Sequence, residues 1–135
     1  GGSLGRRLLI HVRDVMHTGD ALPKIDLDAS LKVALLEMTK KGLGMTAVVD
    51  AADKVAWVFT DGDLRRALEH ALDLQQARVT DLMSKNPKTI RADELAVAAV
   101  EKMETLKING LLVVDADNRL VGALNMHDLL KAGVV

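Results

Sequence analysis

The fold is decided by a 40-residue stretch that occurs twice, as DASLKVALLEMTKKGLGMTAVVDAADKVAWVFTDGDLRRA at residues 28–67 and as DELAVAAVEKMETLKINGLLVVDADNRLVGALNMHDLLKA at residues 93–132. The copies align without a gap, and ten positions are identical, including a Val-Val-Asp-Ala string that starts at Val48 and again at Val113. Two related units that each leave an apolar face uncovered tend to stack, and clefts between stacked units bind ligands. The sequence therefore predicts two copies of one supersecondary unit related by a pseudo-twofold axis.

The overall composition limits the class of protein. The chain has 135 residues, and a hydrophobic content of 49% is enough to build one compact core. Its 18 basic and 19 acidic residues give a net charge of -1, which provides no field to attract nucleic acid or an anionic membrane. Cysteine is absent, and no apolar run is long enough to span a bilayer. These features predict a cytoplasmic protein that binds neither nucleic acid nor membranes.

The spacing of apolar residues predicts the same order of elements in each copy. An apolar helical face comes first, formed by Leu31, Ala34, Leu35 and Met38 in one copy and by Ala96, Ala99, Val100 and Met103 in the other. Asp28 or Ser30 is placed to cap the first helix, and Gly42 to end it. Two strands then form a hairpin-like pair, at residues 46–49 and 55–59 or at 111–114 and 120–124. A second helix follows, opening at residues 61–63 in the first copy and at Asp128 in the second. Its apolar face in the first copy carries Leu64, Ala67, Leu68 and Ala71.

The junction between the second strand and the last helix of each copy is the best candidate for a ligand site. It reads Thr60-Asp61-Gly62-Asp63 in the first copy and Asn125-Met126-His127-Asp128 in the second. Backbone N–H groups and the positive end of a helix dipole gather there, so a phosphate can meet them while the Asp accepts hydrogen bonds from a ribose diol. Arg65 and Arg66 add positive charge one helical step later. The structural alternative is a helix cap, because Thr60 and Asp63 have the spacing of a capping box.

Other polar and aromatic residues support weaker interpretations. Trp57 could pack over a base, or it could fill a gap in the core beside Met38. His17 and His127 lie near aspartates in the sequence, but no third ligand follows at helical spacing, so no metal site is predicted. No convergent set of Glu, His or Lys side chains offers a general acid and base, so no catalytic residues are predicted.

On these motifs the chain resembles a tandem pair of CBS domains. The resemblance rests on the repeated helix, the Val-Val-Asp strand end and the Thr-x-x-Asp junction, and it covers residues 14–132. It implies an α/β (α+β) fold with two pseudo-twofold-related CBS repeats, each a small sheet packed with two helices. We expect a linker or tail at residues 1–13, the first repeat at 14–78 and the second repeat at 79–135.

Three longer strings resemble the C-terminal half of bacterial D-arabinose 5-phosphate isomerases. They are VRDVMHTGDALP at residues 12–23, FTDGDLRR at 59–66 and MHDLLKAGVV at 126–135. In that family an N-terminal sugar isomerase (SIS) domain converts ribulose 5-phosphate to arabinose 5-phosphate for synthesis of Kdo, a lipopolysaccharide sugar. The resemblance implies that this catalytic domain belongs upstream of the present chain, and that the chain itself is not an enzyme.

The resemblance also implies which residues bind a ligand, because CBS pairs hold adenine nucleotides or other nucleotide derivatives between their repeats. It nominates Thr60 and Asp63 for one site and Asp128 for the other. The flanking candidates are His17, Thr18, Pro23, Lys24, Thr46, Ala47 and Arg65 for the first copy, and Asn86, Pro87, Lys88, Leu111, Leu112, Asn125 and His127 for the second. Asn125 replaces the usual Thr or Ser, and Trp57 replaces the usual Gly, so the two sites are not expected to be equivalent.

Together these features predict a regulatory module that senses a nucleotide or nucleotide sugar and transmits its occupancy to the SIS domain. The candidate effectors are CMP-Kdo, the activated end product of the pathway, and AMP, ADP or ATP, and no other cofactor is expected. Association of CBS pairs into a homodimer is also expected. The alternative is a structural module that dimerises the enzyme and carries vestigial ligand sites.

Overall fold

The protein folds into short helices and strands in a computed structural model that describes residues 2–70, 73, 75–82 and 86–135. The helices are α1 (Gly2–Arg7), α2 (Val12–Val15), α3 (Leu31–Lys41), α4 (Asp61–Glu69), α5 (Ala96–Leu106) and α6 (Met126–Lys131). The strands are β1 (Lys24–Asp26), β2 (Met45–Val49), β3 (Val55–Thr60), β4 (Thr89–Arg91), β5 (Gly110–Val114) and β6 (Leu120–Asn125). None of these helices has both the length and the apolar character that a membrane crossing requires.

The chain divides into two compact units, each built from segments that are distant in the sequence. The central unit contains Pro23–Pro87 and Asn118–Leu120. The terminal unit contains Gly1–Leu22, Lys88–Asp117 and Val121–Val135. Each unit holds a three-stranded sheet, so the predicted α+β architecture with two small sheets is confirmed.

In the central unit the strand order is β1-β2-β3, with β1 parallel to β2 and β2 antiparallel to β3. Helix α3 buries Leu31, Ala34 and Met38, which confirms its predicted apolar face. Ser30 rather than Asp28 caps the helix, since its side chain accepts a hydrogen bond from the Val33 N–H at 3.2 Å. Gly42 ends the helix in the left-handed conformation, as its position predicts.

In the terminal unit the strand order is β4-β5-β6, and β4 runs parallel to β5. Helix α5 buries Ala96, Ala99 and Met103, again as predicted. Val12 is fully buried in the same cluster, although the predicted linker at residues 1–13 includes it. The segment around Val12 is fixed by pairing with the second copy, where the Val12 N–H donates to Glu94 O at 2.8 Å, and the sequence gives no signal of such long-range pairing.

The last helix of each copy differs from its prediction. Ala67 is buried in α4, but Leu68 is 57% exposed, so the predicted apolar face is too wide. Successive residues of a helix are about 100° apart, which turns Leu68 away from the face that Ala67 shares with the core. Ala71 lies outside the described residues. Helix α6 begins at Met126 rather than Asp128.

Candidate functional site

The first junction, where β3 runs into α4, is a reciprocal capping box. The Thr60 N–H donates to Asp63 Oδ2 at 2.9 Å, and the Asp63 N–H donates to Thr60 Oγ1 at 3.2 Å. Thr60 Oγ1 also donates to Asp63 Oδ2 at 3.1 Å. The capping interpretation of Thr60 and Asp63 is therefore confirmed, and it fixes the carboxylate of Asp63 in one orientation.

A basic side chain completes the first junction. Asp63 is only 2% exposed, and a carboxylate that is withdrawn from water needs charged or hydrogen-bonding partners. The guanidinium of Arg66 supplies one by donating from Nη2 to Oδ1. The sequence placed both Arg65 and Arg66 near this junction, and the structure gives the contact with Asp63 to Arg66. The helical spacing of three residues from Asp63 is the signal that could have identified Arg66.

The second junction, where β6 runs into α6, repeats the box with a different cap. The Asn125 N–H donates to Asp128 Oδ2 at 2.8 Å, and the Asp128 N–H donates to Asn125 Oδ1 at 3.0 Å. An amide oxygen accepts a hydrogen bond as a hydroxyl does, so Asn125 replaces Thr without loss of the cap. The side chain of Asp128 is 13% exposed, against 2% for Asp63.

His17 belongs to the second junction. Its Nε2 donates to Asp128 Oδ1 at 2.8 Å, within the terminal unit. The sequence grouped His17 with the first junction, and that grouping is wrong. The reason is that the backbone of His17 pairs with Ala123 of β6, a contact between residues far apart in the chain. Thr18 follows His17 in the same unit and is exposed.

Three flanking candidates of the first copy, Lys24, Thr46 and Ala47, lie on neighbouring strands of one sheet, and Pro23 directly precedes β1. Lys24 is the register partner of Ala47, whose N–H donates to the carbonyl of Pro23 at 3.1 Å. Thr46 is fully buried, and its neighbour Met45 is the register partner of Thr60. The sheet therefore brings the predicted segment around the proline close to the end of β3, although Thr46 offers a ligand no open surface.

The flanking candidates of the second copy are divided between the two units. Leu111 and Leu112 lie in the terminal unit on β5 and are 1% exposed, so they can offer a ligand only backbone groups. Lys88 is in the same unit and is exposed, as is His127 of the junction. Asn86 and Pro87 belong to the central unit.

One backbone hydrogen bond is conserved between the two junctions. The Asp61 N–H donates to the carbonyl of Gly44 at 3.0 Å, and the Met126 N–H donates to that of Asn109 at 3.0 Å. These pairs occupy equivalent positions of the repeat, because 44 and 61 become 109 and 126 after 65 residues. The duplication thus preserves the geometry of the strand-to-helix turn as well as its sequence.

Two questions from the sequence remain, a metal site and the role of Trp57. No group of three or more His, Cys, Asp or Glu residues there is arranged to hold a metal ion. Trp57 packs against the core cluster that contains Met38, which favours core packing over contact with a base.

A pocket of about 720 Å³ lies in the central unit, apart from the Thr60–Asp63 box. Its lining includes the outer face of α3 and the carboxylates of Asp26, Asp28, Glu37, Asp50 and Asp53. Burial raises the pKa of Glu37, but hydrogen bonds from the Lys41 side chain and the Lys24 N–H outweigh it, and the pKa lies below its usual value. Lys24 Nζ also pairs with Asp53 at 3.1 Å.

The duplicated units and their junctions define a class of protein. The family model described as "CBS domain" matches residues 12–70 and 79–135, so the chain belongs to the CBS domain family as a tandem pair. Among sequences, it is similar to arabinose 5-phosphate isomerase KdsD of Pseudomonas aeruginosa, with 58% identity over 135 residues. That match covers 100% of this chain and 41% of the relative, so the chain spans about two fifths of the length of the curated relatives it matches. Both predicted resemblances are confirmed.

Two solved structures share the fold. One is the CBS domain pair of protein MJ0100 in complex with 5-methylthioadenosine and S-adenosyl-L-methionine, with a TM-score of 0.81 and 23% identity over 90% of this chain and 94% of that one. The other is CBSX2 in complex with AMP, with a TM-score of 0.77 and 25% identity over 93% of this chain and 96% of that one.

Proposed function

We propose that this CBS pair is a nucleotide-sensing regulatory module of an arabinose 5-phosphate isomerase. The observation that carries the proposal is the pair of equivalent junctions, each of which fixes one aspartate carboxylate beside a strand-to-helix turn. The ligand class is supported by the AMP complex of CBSX2, and the parent activity by the 58% identity to KdsD. Under this proposal the missing part of the protein is the SIS catalytic domain.

The two aspartates are the groups that would recognise a ribose. A diol donates two hydrogen bonds, and a carboxylate held in a single orientation is preorganised to accept them. Asp128 is the more accessible of the two, with 13% of its side chain exposed. Asp63 is more deeply buried and also holds Arg66, which could instead turn toward a phosphate. The two junctions therefore offer a nucleotide different chemistry.

Two effector classes share the ribose that these junctions would recognise. Adenine nucleotides are supported by the CBSX2 complex, and CMP-Kdo by its place as the activated end product of the pathway. An effector of either class regulates the enzyme only if it binds one conformation of the pair more tightly than another. A cytoplasmic homodimer that binds no nucleic acid or membrane, and a role in Kdo and lipopolysaccharide synthesis, are further parts of this proposal.

A structural dimerisation module is the second candidate, and one observation favours it. Both aspartates already satisfy helix N–H groups, and Arg66 and His17 hold their other oxygens. A carboxylate with this many partners has a complete structural role without any ligand. Under this reading the junctions are vestigial and nucleotides do not bind.

Thermal unfolding of the chain with a panel of ligands separates these candidates. The panel contains CMP-Kdo, CMP, AMP, ADP, ATP and arabinose 5-phosphate. A specific ligand at about 100 times its Kd adds roughly 2.7 kcal/mol, which is a shift of several degrees for a chain of this size. A shift with a nucleotide supports the regulatory module and identifies its effector class. No shift with any compound in a folded sample supports the dimerisation module.

A further inference from the structure

The segment at residues 10–17 is bound along the terminal unit by a series of backbone hydrogen bonds. The Val12 N–H donates to Glu94 O at 2.8 Å, and the Ala96 N–H donates to Ile10 O at 2.8 Å. At the other end, His17 and Ala123 exchange two hydrogen bonds, from His17 N to Ala123 O at 2.8 Å and from Ala123 N to His17 O at 3.2 Å. His17 is the last residue of this attachment before the chain enters the central unit at Pro23.

The side chain of His17 connects this segment to the second junction. Its Nε2 donates to Asp128 Oδ1, while Asp128 Oδ2 accepts from the backbone of Asn125. Oδ2 thus serves the helix cap, and Oδ1 is the oxygen held by a side chain that can move. The side chains of His17 and Asp128 are 35% and 13% exposed, so this hydrogen bond lies at the edge of solvent, where a ligand can reach it.

Arg7, which precedes this segment, contacts the chain beyond the opposite end of α6. Arg7 donates from Nε and Nη2 to the carbonyl of Val134 at 3.2 and 2.9 Å. Residues 7–17, the N-terminal segment, therefore contact the start of α6 through His17 and the chain after its end through Arg7. A change at Asp128 thus acts on a segment that is attached near both ends of α6.

We propose that His17 competes internally with the effector for Asp128, and that its displacement loosens residues 12–17. This inference rests on the proposed nucleotide binding. A ribose hydroxyl that donates to Asp128 Oδ1 replaces the imidazole N–H as its partner, so occupancy at the junction and attachment of the segment oppose each other. By linkage, a looser segment also favours ligand binding.

The contact of His17 with Asp128 joins the second junction to residues 111 positions earlier in the chain. At the first junction, Arg66 holds the buried carboxylate of Asp63 from within the same helix, α4. The proposed signalling through the N-terminal segment therefore runs through Asp128.

The test combines calorimetric titration with amide hydrogen exchange on the folded chain, with AMP and CMP-Kdo as probes. The variants are His17→Ala, Asp128→Ala and the double variant, with His70→Ala as the control because His70 is an exposed histidine of the central unit. His17→Ala should bind the active probe about threefold to tenfold more tightly, the contribution of one charge-assisted hydrogen bond near solvent. A merely structural role of His17 would weaken binding. In the Asp128→Ala background the substitution should have no effect on binding.

Hydrogen exchange of the variants tests whether the bond from His17 to Asp128 holds residues 12–17 in place, and this comparison needs no ligand. His17→Ala and Asp128→Ala should each speed exchange at the amides of residues 12–17, and saturating probe should do the same in the unsubstituted chain. His70→Ala should match the unsubstituted chain in both measurements. Unchanged or weaker probe affinity in His17→Ala overturns the competition, and unchanged exchange overturns the attachment. If neither probe binds any variant, the proposed nucleotide binding itself has failed, and exchange still decides whether His17 holds the segment.

Discussion

Replacing Gly122 by Ala should destabilise the protein through the attachment of residues 16 and 17 to β6. A Cβ at this position meets the Sδ of Met16, lies 3.0 Å from Met16 Cγ and lies 3.2 Å from the carbonyl oxygen of His17. The end of the Met16 side chain can move away. The His17 oxygen cannot move freely, because it accepts the hydrogen bond from the Ala123 N–H.

The magnitude follows from the cost of overpacking. Adding one methyl group to a closely packed site costs about 1–3 kcal/mol, and the backbone contact places Gly122→Ala near the middle of that range. For a chain of this length, about 2 kcal/mol corresponds to a decrease in Tm of roughly 6–10 °C. The double variant with Gly122→Ala and Met16→Ala should lose at least about 1 kcal/mol less stability than the sum of the losses in the two single variants, because Met16→Ala removes the side chain that collides with the new methyl group.

Urea and thermal denaturation followed by circular dichroism measure these differences. Gly62→Ala is the matched control, because its new Cβ would lie 3.6 Å from Thr60 Oγ1 and from Arg66 Nη1, an ordinary contact distance. It lies within α4, where Ala is favoured over Gly by up to about 1 kcal/mol. A Gly122→Ala protein as stable as Gly62→Ala, with no coupling to Met16, would refute the close approach of this segment to β6.

Three further predictions concern stability. Asp63→Ala removes the carboxylate half of the capping box, which accepts from the Thr60 N–H, but keeps the Thr60 hydroxyl as the N-cap; it should cost about 1–2 kcal/mol in urea unfolding. Arg66→Ala should cost under about 1 kcal/mol because the Arg66 side chain is 61% exposed; equal costs would contradict the role of the Asp63 carboxylate in the capping box. The lowered pKa of Glu37 contributes stability that is present above its unfolded pKa and lost as the pH falls through its folded pKa. The free energy of unfolding of the unsubstituted chain should therefore exceed that of Glu37→Gln by less as the pH falls from about 6 to about 3. A difference that does not depend on pH would count against the hydrogen bonds from Lys41 and Lys24 to Glu37. Lys107 ends α5 with a φ of 57°, where the first copy has Gly42, so Lys107→Gly should raise the free energy of unfolding by up to about 1 kcal/mol, and a loss of stability would exclude strain at this position.

Local signals in the sequence predicted the elements that depend on neighbours in the chain. The faces of α3 and α5 follow from apolar spacing, and Ser30 and Gly42 mark the ends of α3 by their intrinsic preferences. The duplication strengthened the predicted faces of α3 and α5, because the same apolar spacing occurs twice, whereas Leu95 and Lys107 replace Ser30 and Gly42 in the second copy. The strand pairs were predictable because their apolar runs also occur in both copies.

The sequence did not reveal contacts between distant parts of the chain. The bond from His17 to Asp128 depends on residues 10–17 pairing with elements of the second copy, and no periodicity reports such pairing. The sequence analysis compared Trp57 with the usual Gly of the family but did not identify the close approach of Met16 that Gly122 permits at the equivalent position of the second copy.

The most direct test of nucleotide sensing is calorimetric titration of AMP and CMP-Kdo into the chain and into an Asp63→Asn/Asp128→Asn variant. Asn keeps an amide oxygen to accept the cap hydrogen bond but loses the carboxylate, so the variant should remain folded by circular dichroism. We expect saturable binding of one of these ligands to the unsubstituted chain and a loss of at least about tenfold in affinity in the variant, which corresponds to one charged hydrogen bond. Binding that is unchanged in the folded variant, or absent from both proteins, would contradict a nucleotide site at these junctions.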